Sequence, residues 1–555
     1  MRKKKGGHKK MKKNIFVLMS SVLVLGAALA GCGGNTSTSA PAATDASKQE
    51  ASKGEKKVLR LNMHTEPPTA DPGIAEDSTS GAVVRAIFDG LTRTDSEGKP
   101  QPSVAEKIDV STDGKKYTFH LRDAKWSNGE PLTAHDFEFA WKRALDPATA
   151  SNYAYQLYYI KGGEAFHTGK GKKEDIGVKA INDKTLEVEL ENPTPFFLEL
   201  TSFYTYYPVN KKLVESNKDW AKEAKTIVGN GPFKMTKWEH KSKMTLEKNE
   251  HYWDADVVKI DKLEFSMVED ENTELSMYDN GELDWAGNPL SNIPLDSIPA
   301  LQQNNTLITK PKASIYWYKM NTEKAPFNNA KIRKAFAYAV NRDAIVKNVT
   351  QSGQIPAMGM LPPTMAFKKE GYFKDNNVDE AKKLLAEGMK EMGWDKLPPV
   401  MISINTSENH KKIAEAVQDQ WKKGLGVDVK IENSEWKVYL DKLHQGNYQI
   451  GRMGWNADFN DPINYIELFR DKKGGNNDTN WENAEYKRLV NESQKELDKA
   501  KRDALLQKAE EIFMDELPVI PVYFYTDSWV QNPKLKGVSF DAMGNIDWKW
   551  ADLEQ

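Results

Sequence analysis

Beyond residue 57, apolar positions either alternate with polar ones or recur at helical spacing along most of the chain. Residues 116–122, Lys-Tyr-Thr-Phe-His-Leu-Arg, alternate and predict a strand with one buried face. Thr133 stands where a cap belongs, ahead of a helix carrying Phe139, Trp141 and Leu145. Ile413, Val417, Trp421 and Leu425 recur every four residues, so they form one apolar stripe of a helix that Gly426 stops. Val427-Asp-Val-Lys-Ile then reads as a strand. Helices over 485–497 and 501–517 precede Pro518-Val-Ile-Pro-Val-Tyr-Phe-Tyr, predicted as a buried strand. Short strands alternating with helices define a mixed α/β architecture. No repeat is evident, and no linker-like stretch interrupts the body, so composition alone sets no domain boundary.

The first 57 residues break this pattern. Lys12 and Lys13 precede an almost uninterrupted apolar run from Ile15 to Ala30, the length of a signal peptide core and short of the roughly 20 residues a spanning helix needs. Leu29-Ala-Gly-Cys32 follows with the pattern of a bacterial lipobox. Cys32 is the chain's one cysteine, so no intramolecular disulfide is available to it. Residues 1–31 therefore read as a lipoprotein signal peptide and Cys32 as a lipidation site, with two acyl chains sufficing for stable anchoring. An uncleaved signal anchor is the alternative. The start is open between Met1 and Met11. Residues 32–57 have no apolar side chain larger than Ala or Pro after Cys32, and read as a flexible stalk.

Charge narrows the partners. The chain has 78 basic and 80 acidic residues, but Arg2, Lys3, Lys4, Lys5, Lys9, Lys10, Lys12 and Lys13 lie in the leader. The remainder carries 70 against 80, a formal charge of −10, which argues against nucleic acid. Fifteen tryptophans and 20 tyrosines exceed what packing requires and suit the lining of a ligand cleft. Enzyme signatures are missing: there is no His-Glu-x-x-His, no Gly-x-Ser-x-Gly and no Walker loop, and residues 162–173 have the wrong glycine spacing for one. The nine histidines lack metal-ligand spacing, and pairs such as Glu269 and Asp270 arise by chance among 80 acids. No catalytic residue, metal or cofactor is expected.

Three blocks carry more information. The first holds Ala86-Ile-Phe-Asp-Gly-Leu, Pro102-Ser-Val-Ala-Glu, residues 113–122, Lys125-Trp-Ser-Asn-Gly-Glu-Pro-Leu-Thr-Ala and Asp136-Phe137. The second holds Val228-Gly-Asn-Gly-Pro-Phe, Asn249-Glu-His-Tyr-Trp-Asp and Tyr278-Asp-Asn-Gly-Glu-Leu-Asp. The third is Lys324-Ala-Pro-Phe-Asn-Asn with Ile332-Arg-Lys-Ala. In this order, from about residue 60 to 530, they resemble the extracellular solute-binding proteins of oligopeptide ABC importers, the peptide-, dipeptide- and nickel-binding family. Glu435-Trp-Lys-Val-Tyr-Leu-Asp, His444-Gln-Gly and Arg452-Met-Gly-Trp-Asn-Ala-Asp are similar to its oligopeptide receptors.

The resemblance implies a class II periplasmic-binding-protein-like α/β fold, two lobes about a hinge, in the large three-region variant. Residues 58–79, 224–288 and 527–555 would form a discontinuous lobe I region, 80–223 an additional region II of the same lobe, and 289–526 lobe III. It implies a monomeric receptor that captures oligopeptides largely independent of sequence and delivers them to the membrane permease of an ABC importer, on the outer face of the cell membrane and most naturally of a Gram-positive cell. Same-fold receptors for dipeptides, nickel chelates, haem, pheromones or cell-wall peptides are the alternatives, and an extracellular hydrolase is a further one.

The resemblance also assigns residues. Asp458 would hold the peptide α-ammonium, which every peptide has, so the contact sets register without reading sequence. Arg452, His410 and Lys324 would offer cations to peptide carboxylates, and His444 would be a further ligand-binding residue. Trp436 and Trp455 would be cleft aromatics, as would Tyr155 or its near neighbour Tyr153, and Tyr523 or Tyr525. Glu66 lies in a segment matching a loop whose backbone runs beside the peptide, where main-chain bonding works like strand addition. Leu443 stands where the pattern has arginine, so a C-terminal anchor is missing and preferred peptide length is open.

Overall fold

The computed structural model describes residues 56–95, 98–541 and 543–554. The leader, Cys32 and all but the end of the expected stalk lie outside the described residues. Among those residues, three sheets have four or more strands. The first sets Val58–Asn62 parallel to Lys262–Ser266, followed antiparallel by Lys243–Lys248 and Phe233–Glu239. Leu59, Leu61, Leu263 and Phe265 alternate onto its buried face.

The second sheet is antiparallel, in the order Ala105–Val110, Lys116–Leu121, Thr185–Glu189, Val178–Asn182. Tyr117, Phe119 and Leu121 point inward, which is the alternation read over 116–122. The helix Ala134–Ala144 begins at Thr133, whose backbone N–H donates to Asp136 at 2.9 Å. It buries Trp141, whose indole donates to the Tyr206 carbonyl at 2.8 Å.

The third sheet is the largest. It runs Trp285–Gly287, Val519–Gln531, Ile308–Met320, Ile450–Asn456, Val400–Asn405, Val429–Ser434, with Ile355–Pro356 paired to Val519–Gln531. The helix Glu408–Leu425 links the parallel pair Val400–Asn405 and Val429–Ser434. Ser407 caps it, Ile413, Val417 and Trp421 are buried, and Gly426 ends it at φ +70°, a conformation open to glycine. The strand Val519–Gln531 runs past Tyr525, where an apolar reading ends, through polar Thr526-Asp527-Ser528. Its backbone is still claimed on both sides, with Ile308 and Gly287 both opposite Trp529, and Asp527 pairs with Lys312 at 3.2 Å. Helices Ala484–Ser493 and Lys499–Glu516 precede it. The first stops short of residue 497 because Leu497 finds no core and is 74% exposed.

The first two of the three sequence blocks that carry the family resemblance meet in a buried knot. The fully buried carboxylate of Asp89 accepts from Ser103 at 2.7 Å, Tyr252 at 2.8 Å, Trp253 at 3.0 Å and Arg93 at 3.2 Å. Arg93 grips Asp547 with two bonds of 2.6 and 2.8 Å. The Asn230 amide bonds both the N–H and the carbonyl of Asp89. Glycine is needed where backbones touch. A Cβ on Gly229 would lie 2.0 Å from the Ile87 carbonyl oxygen, and one on Gly90 would lie 2.5 Å from that of Thr201.

Candidate functional site

A cavity of about 240 Å³ is walled by His64, Thr65, Glu76 and Asp77, the rings of Tyr153 and Tyr204, residues 288–292, and the chain from Arg452 to Asp458. Asp458 follows the strand Ile450–Asn456, which directs it into the wall. Its carboxylate accepts from Gln156 at 2.6 Å and Asn464 at 3.2 Å, with the Tyr153 hydroxyl at 3.5 Å. Its backbone N–H donates to the other end of the Asn464 amide at 3.0 Å, so Asn464 holds it from both sides. All these partners are neutral, and no ion pair to Asp458 exists among the described residues. Desolvation therefore pushes the carboxyl up to about 7.

Arg452 is complementary. It is buried, with its guanidinium 4.8 Å over the Tyr316 ring, donating to Tyr525 at 2.6 Å and to Asn405 at 3.4 Å. Its Nε has no partner, and no carboxylate pairs with it among the described residues. One wall thus holds a carboxylate and a guanidinium, both desolvated and both satisfied only by neutral groups. A molecule bearing an ammonium and a carboxylate would complete both, and each contact gains from the excluded water.

Trp436 and Trp455 also line the cavity. Trp455 donates to Asn464 at 3.1 Å, and Trp436 donates to Asp77 at 3.3 Å. His410 lines it too, but not as a cation: burial, Arg452 and His64 push its pKa well below the ordinary histidine value, and Nδ1 has no partner among the described residues. It contributes a neutral ring.

Five expected residues fall elsewhere. Lys324 is exposed in the turn after the strand Ile308–Met320. Glu66 turns away from the cavity to His240 at 2.5 Å, while its neighbours His64 and Thr65 line the wall. Tyr155 stacks behind Tyr153 with centroids 5.6 Å apart, so Tyr153 is the lining ring of that pair. Tyr523 is buried against Tyr316 at 4.9 Å, and Tyr525 reaches the cavity instead. His444 is tied to two carboxylates, Asp478 and Glu76. Leu443 is fully buried in an apolar cluster with Tyr439 and Tyr448, so a side chain at this position points into packing.

Glu76, Asp77, Gln156 and Asn464 went unpredicted. Asp77 had a signal, because Asp-Ser-Thr-Ser before an apolar run marks a cap, and Asp77 does cap the helix Ser78–Ile87. Gln156 reaches Asp458 across 302 residues of sequence, which no local pattern encodes, whereas Asn464 lies only 6 residues beyond Asp458 and folds back onto it.

Residues 99–477 match the bacterial extracellular solute-binding proteins, family 5. The chain belongs to this family. It is 55% identical to the oligopeptide-binding protein OppA of Bacillus subtilis over 97% of this chain and 98% of that one. Identity to the dipeptide-binding protein DppE of the same organism is 42%, over 96% and 98%. Haemophilus influenzae OppA in complex with RPPGFSPFR superimposes with a TM-score of 0.85 at 32% identity, covering 90% of this chain and 99% of that one. The family fold is therefore the two-lobed, class II form. The murein tripeptide-binding protein MppA of Escherichia coli matches at a TM-score of 0.83, whereas MppA in its unliganded open form matches at 0.61. These matches are 30% and 31% identical, over 89% and 90% of this chain and 99% and 98% of those. The conformation here departs from the open one. Among the described residues no helix is long and apolar enough to cross a membrane, and no group of three metal-ligating side chains gathers.

Proposed function

We propose that this protein is an extracellular receptor that closes over oligopeptides and passes them to the permease of an ABC importer. The observation that carries the reading is Asp458, a desolvated carboxylate in the cavity wall with only neutral partners. It receives the peptide α-ammonium, and Arg452 stands in the same wall for a carboxylate. Identity to OppA of 55%, against 42% for DppE, supports oligopeptides over dipeptides. No turnover is part of the proposal.

The lobe division follows from the same reading. The first sheet has its strands in 58–79 and 224–288, the second lies within 80–223, and most of the third lies within 289–526. The chain passes between lobes near 288 and near 527. Those crossings lie side by side, since Gly287 pairs with Trp529, and two adjacent crossings make a hinge. The higher TM-score against the MppA structure than against its open form supports a closed state here. Cys32 would carry the lipid, keeping the loaded receptor near the permease at high effective concentration on the outer membrane face.

Calorimetry with one peptide tests the reading. Asp458→Ala should lose about 2–5 kcal/mol of binding, the range for truncating one partner of a buried charge pair. N-acetylation of the peptide should cost the wild type as much, and cost the variant little. Undiminished binding of the acetylated peptide would remove Asp458 from the role.

A further inference from the structure

His444 lies at the end of a line of alternating charges that crosses from the large sheet to the N-terminal segment. Lys319, on the strand Ile308–Met320, donates to Asp478 at 2.5 Å, and both side chains are 2% exposed. Asp478 accepts from His444 Nδ1 at 2.9 Å, and His444 Nε2 meets Glu76 at 3.1 Å. Burial alone would lower the imidazole pKa, but the two carboxylates outweigh it and raise it to about 10. Burial likewise opposes the Asp478 charge, but Lys319 and His444 prevail and hold that carboxyl at about 2.

The ring is therefore an imidazolium with both N–H groups spent on carboxylates. Nothing is left on it to receive a peptide. Asn152 stands 3.3 Å from Nε2 but has its own acceptor, Glu76, at 2.8 Å, which fixes the second oxygen of that carboxylate. Glu76 itself lines the cavity. At the other end of the helix Trp436–His444, Trp436 bonds the next residue, Asp77. One helix of the large-sheet lobe is thus docked at two points on the Glu76-Asp77 step of the other lobe.

We propose that His444 is a positioning residue, a charged latch that joins Glu76 to Asp478 when the lobes close and never touches the peptide. The inference rests on the peptide-receptor reading, and it assigns to closure a histidine that the sequence pattern assigns to the ligand. Such a latch acts after encounter, so its loss appears in the dissociation rate.

The test is surface-plasmon kinetics on the full mature chain with tri-, tetra- and pentapeptides of one composition, comparing wild type, His444→Gln and Glu76→Gln. His444→Gln should raise the dissociation rate roughly ten- to hundredfold, by the same factor at every length, with little change in association rate. Glu76→Gln removes the charge from the other side, and the double variant should be no worse than the poorer single one. A loss confined to one length would instead make His444 a ligand anchor and overturn the proposal, as would an unchanged dissociation rate.

The pH profile is a second readout. The groups facing the ring are Glu76 and Asn152 on one side and Asp478, with Lys319 behind it and the Tyr448 hydroxyl on its carbonyl, on the other. A pKa raised by closure favours closure fully below the ordinary histidine value, and the gain is lost as pH rises toward 10. Wild-type affinity should therefore fall more between pH 6.5 and 9 than that of His444→Gln, the peptide amine titrating equally for both. Small-angle scattering of unliganded protein separates the two readings. His444→Gln should shift it toward an expanded form even if no tested peptide binds, and equal radii would overturn the latch while leaving peptide capture standing.

Discussion

Trp455 stacks on Tyr153 with ring centroids 6.1 Å apart and planes 14° from parallel. The two rings come from opposite lobes in the proposed division, and both border the Asp458 carboxylate. Stacking across a closing cleft makes the indole a reporter of closure. Peptide addition should change the tryptophan fluorescence of the wild type, and Trp455→Phe should remove much of that change. The variant should also lose roughly 0.5–1.5 kcal/mol of affinity, the worth of the indole hydrogen bond to Asn464 that phenylalanine cannot make. Retention of the full fluorescence change in Trp455→Phe would place the reporter elsewhere.

Among the described residues Arg452 has no carboxylate partner, which predicts a particular sensitivity in the ligand. Peptides short enough to end at Arg452 should bind about tenfold or more weaker as C-terminal amides than as free acids. In Arg452→Gln the two forms should bind alike. Competition against a fluorescent peptide measures this directly, and an undiminished acid preference in the variant would assign the carboxylate to another cation.

Glu467 gives a prediction about pH. It is 9% exposed, accepts from the Tyr159 hydroxyl at 2.7 Å, and leaves Oε1 without a partner among the described residues. Burial pushes its carboxyl up to about 8. A carboxyl raised on folding is stabilising below its ordinary value near 4.3, and that stability drains away as pH rises through 8. Glu467→Gln keeps the acceptor for Tyr159 without the charge. It should raise thermal stability at pH 8, by an amount of order 2–4 kcal/mol, and change little at pH 4. Equal melting shifts at both pH values would contradict the assignment.

Much of the fold is legible locally because its signals are local. Alternation over 116–122, the stripe from Ile413 to Leu425 with Gly426 behind it, and the cap at Thr133 each describe a few consecutive residues, and the structure realises each. The strand through Asp527 was not legible, since its polar residues are extended by pairing with partners more than 200 residues away. The site divides in the same way. Asp458, Arg452, Trp436 and Trp455 were assigned only through the resemblance of residues 435–458 to oligopeptide receptors, and all four line the cavity. Tyr153 against Tyr155, and Tyr525 against Tyr523, could not be resolved, because two residues of one type two positions apart differ only in which faces the cavity. His444, which does not line the cavity, is a different case. Its partners Glu76 and Asp478 come from distant segments, and only their convergence shows both nitrogens to be occupied.

The residues that mark the family most strongly predict a stability effect rather than a binding one. Asp89, in Phe-Asp-Gly, lies outside the cavity and collects four side-chain donors, Arg93 and Ser103 from nearby in the chain and Tyr252 and Trp253 from a distant segment. Asp89→Ala would leave the hydroxyls of Ser103 and Tyr252 unmatched and strip Arg93 of one of its two carboxylates in a fully buried site. Breaking a buried ion pair from one side costs about 3–5 kcal/mol, because the other charge stays buried. Asp89→Asn, which keeps an acceptor of the same shape, should cost less, though the uncharged amide no longer balances Arg93. Denaturant unfolding of both variants should show this order, while the peptide affinity of whatever protein remains folded stays near wild type. A variant folded as stably as wild type but unable to bind would mean that the knot reaches the cavity after all. The separation of the family's most recognisable residues from its ligand wall would then have to be abandoned.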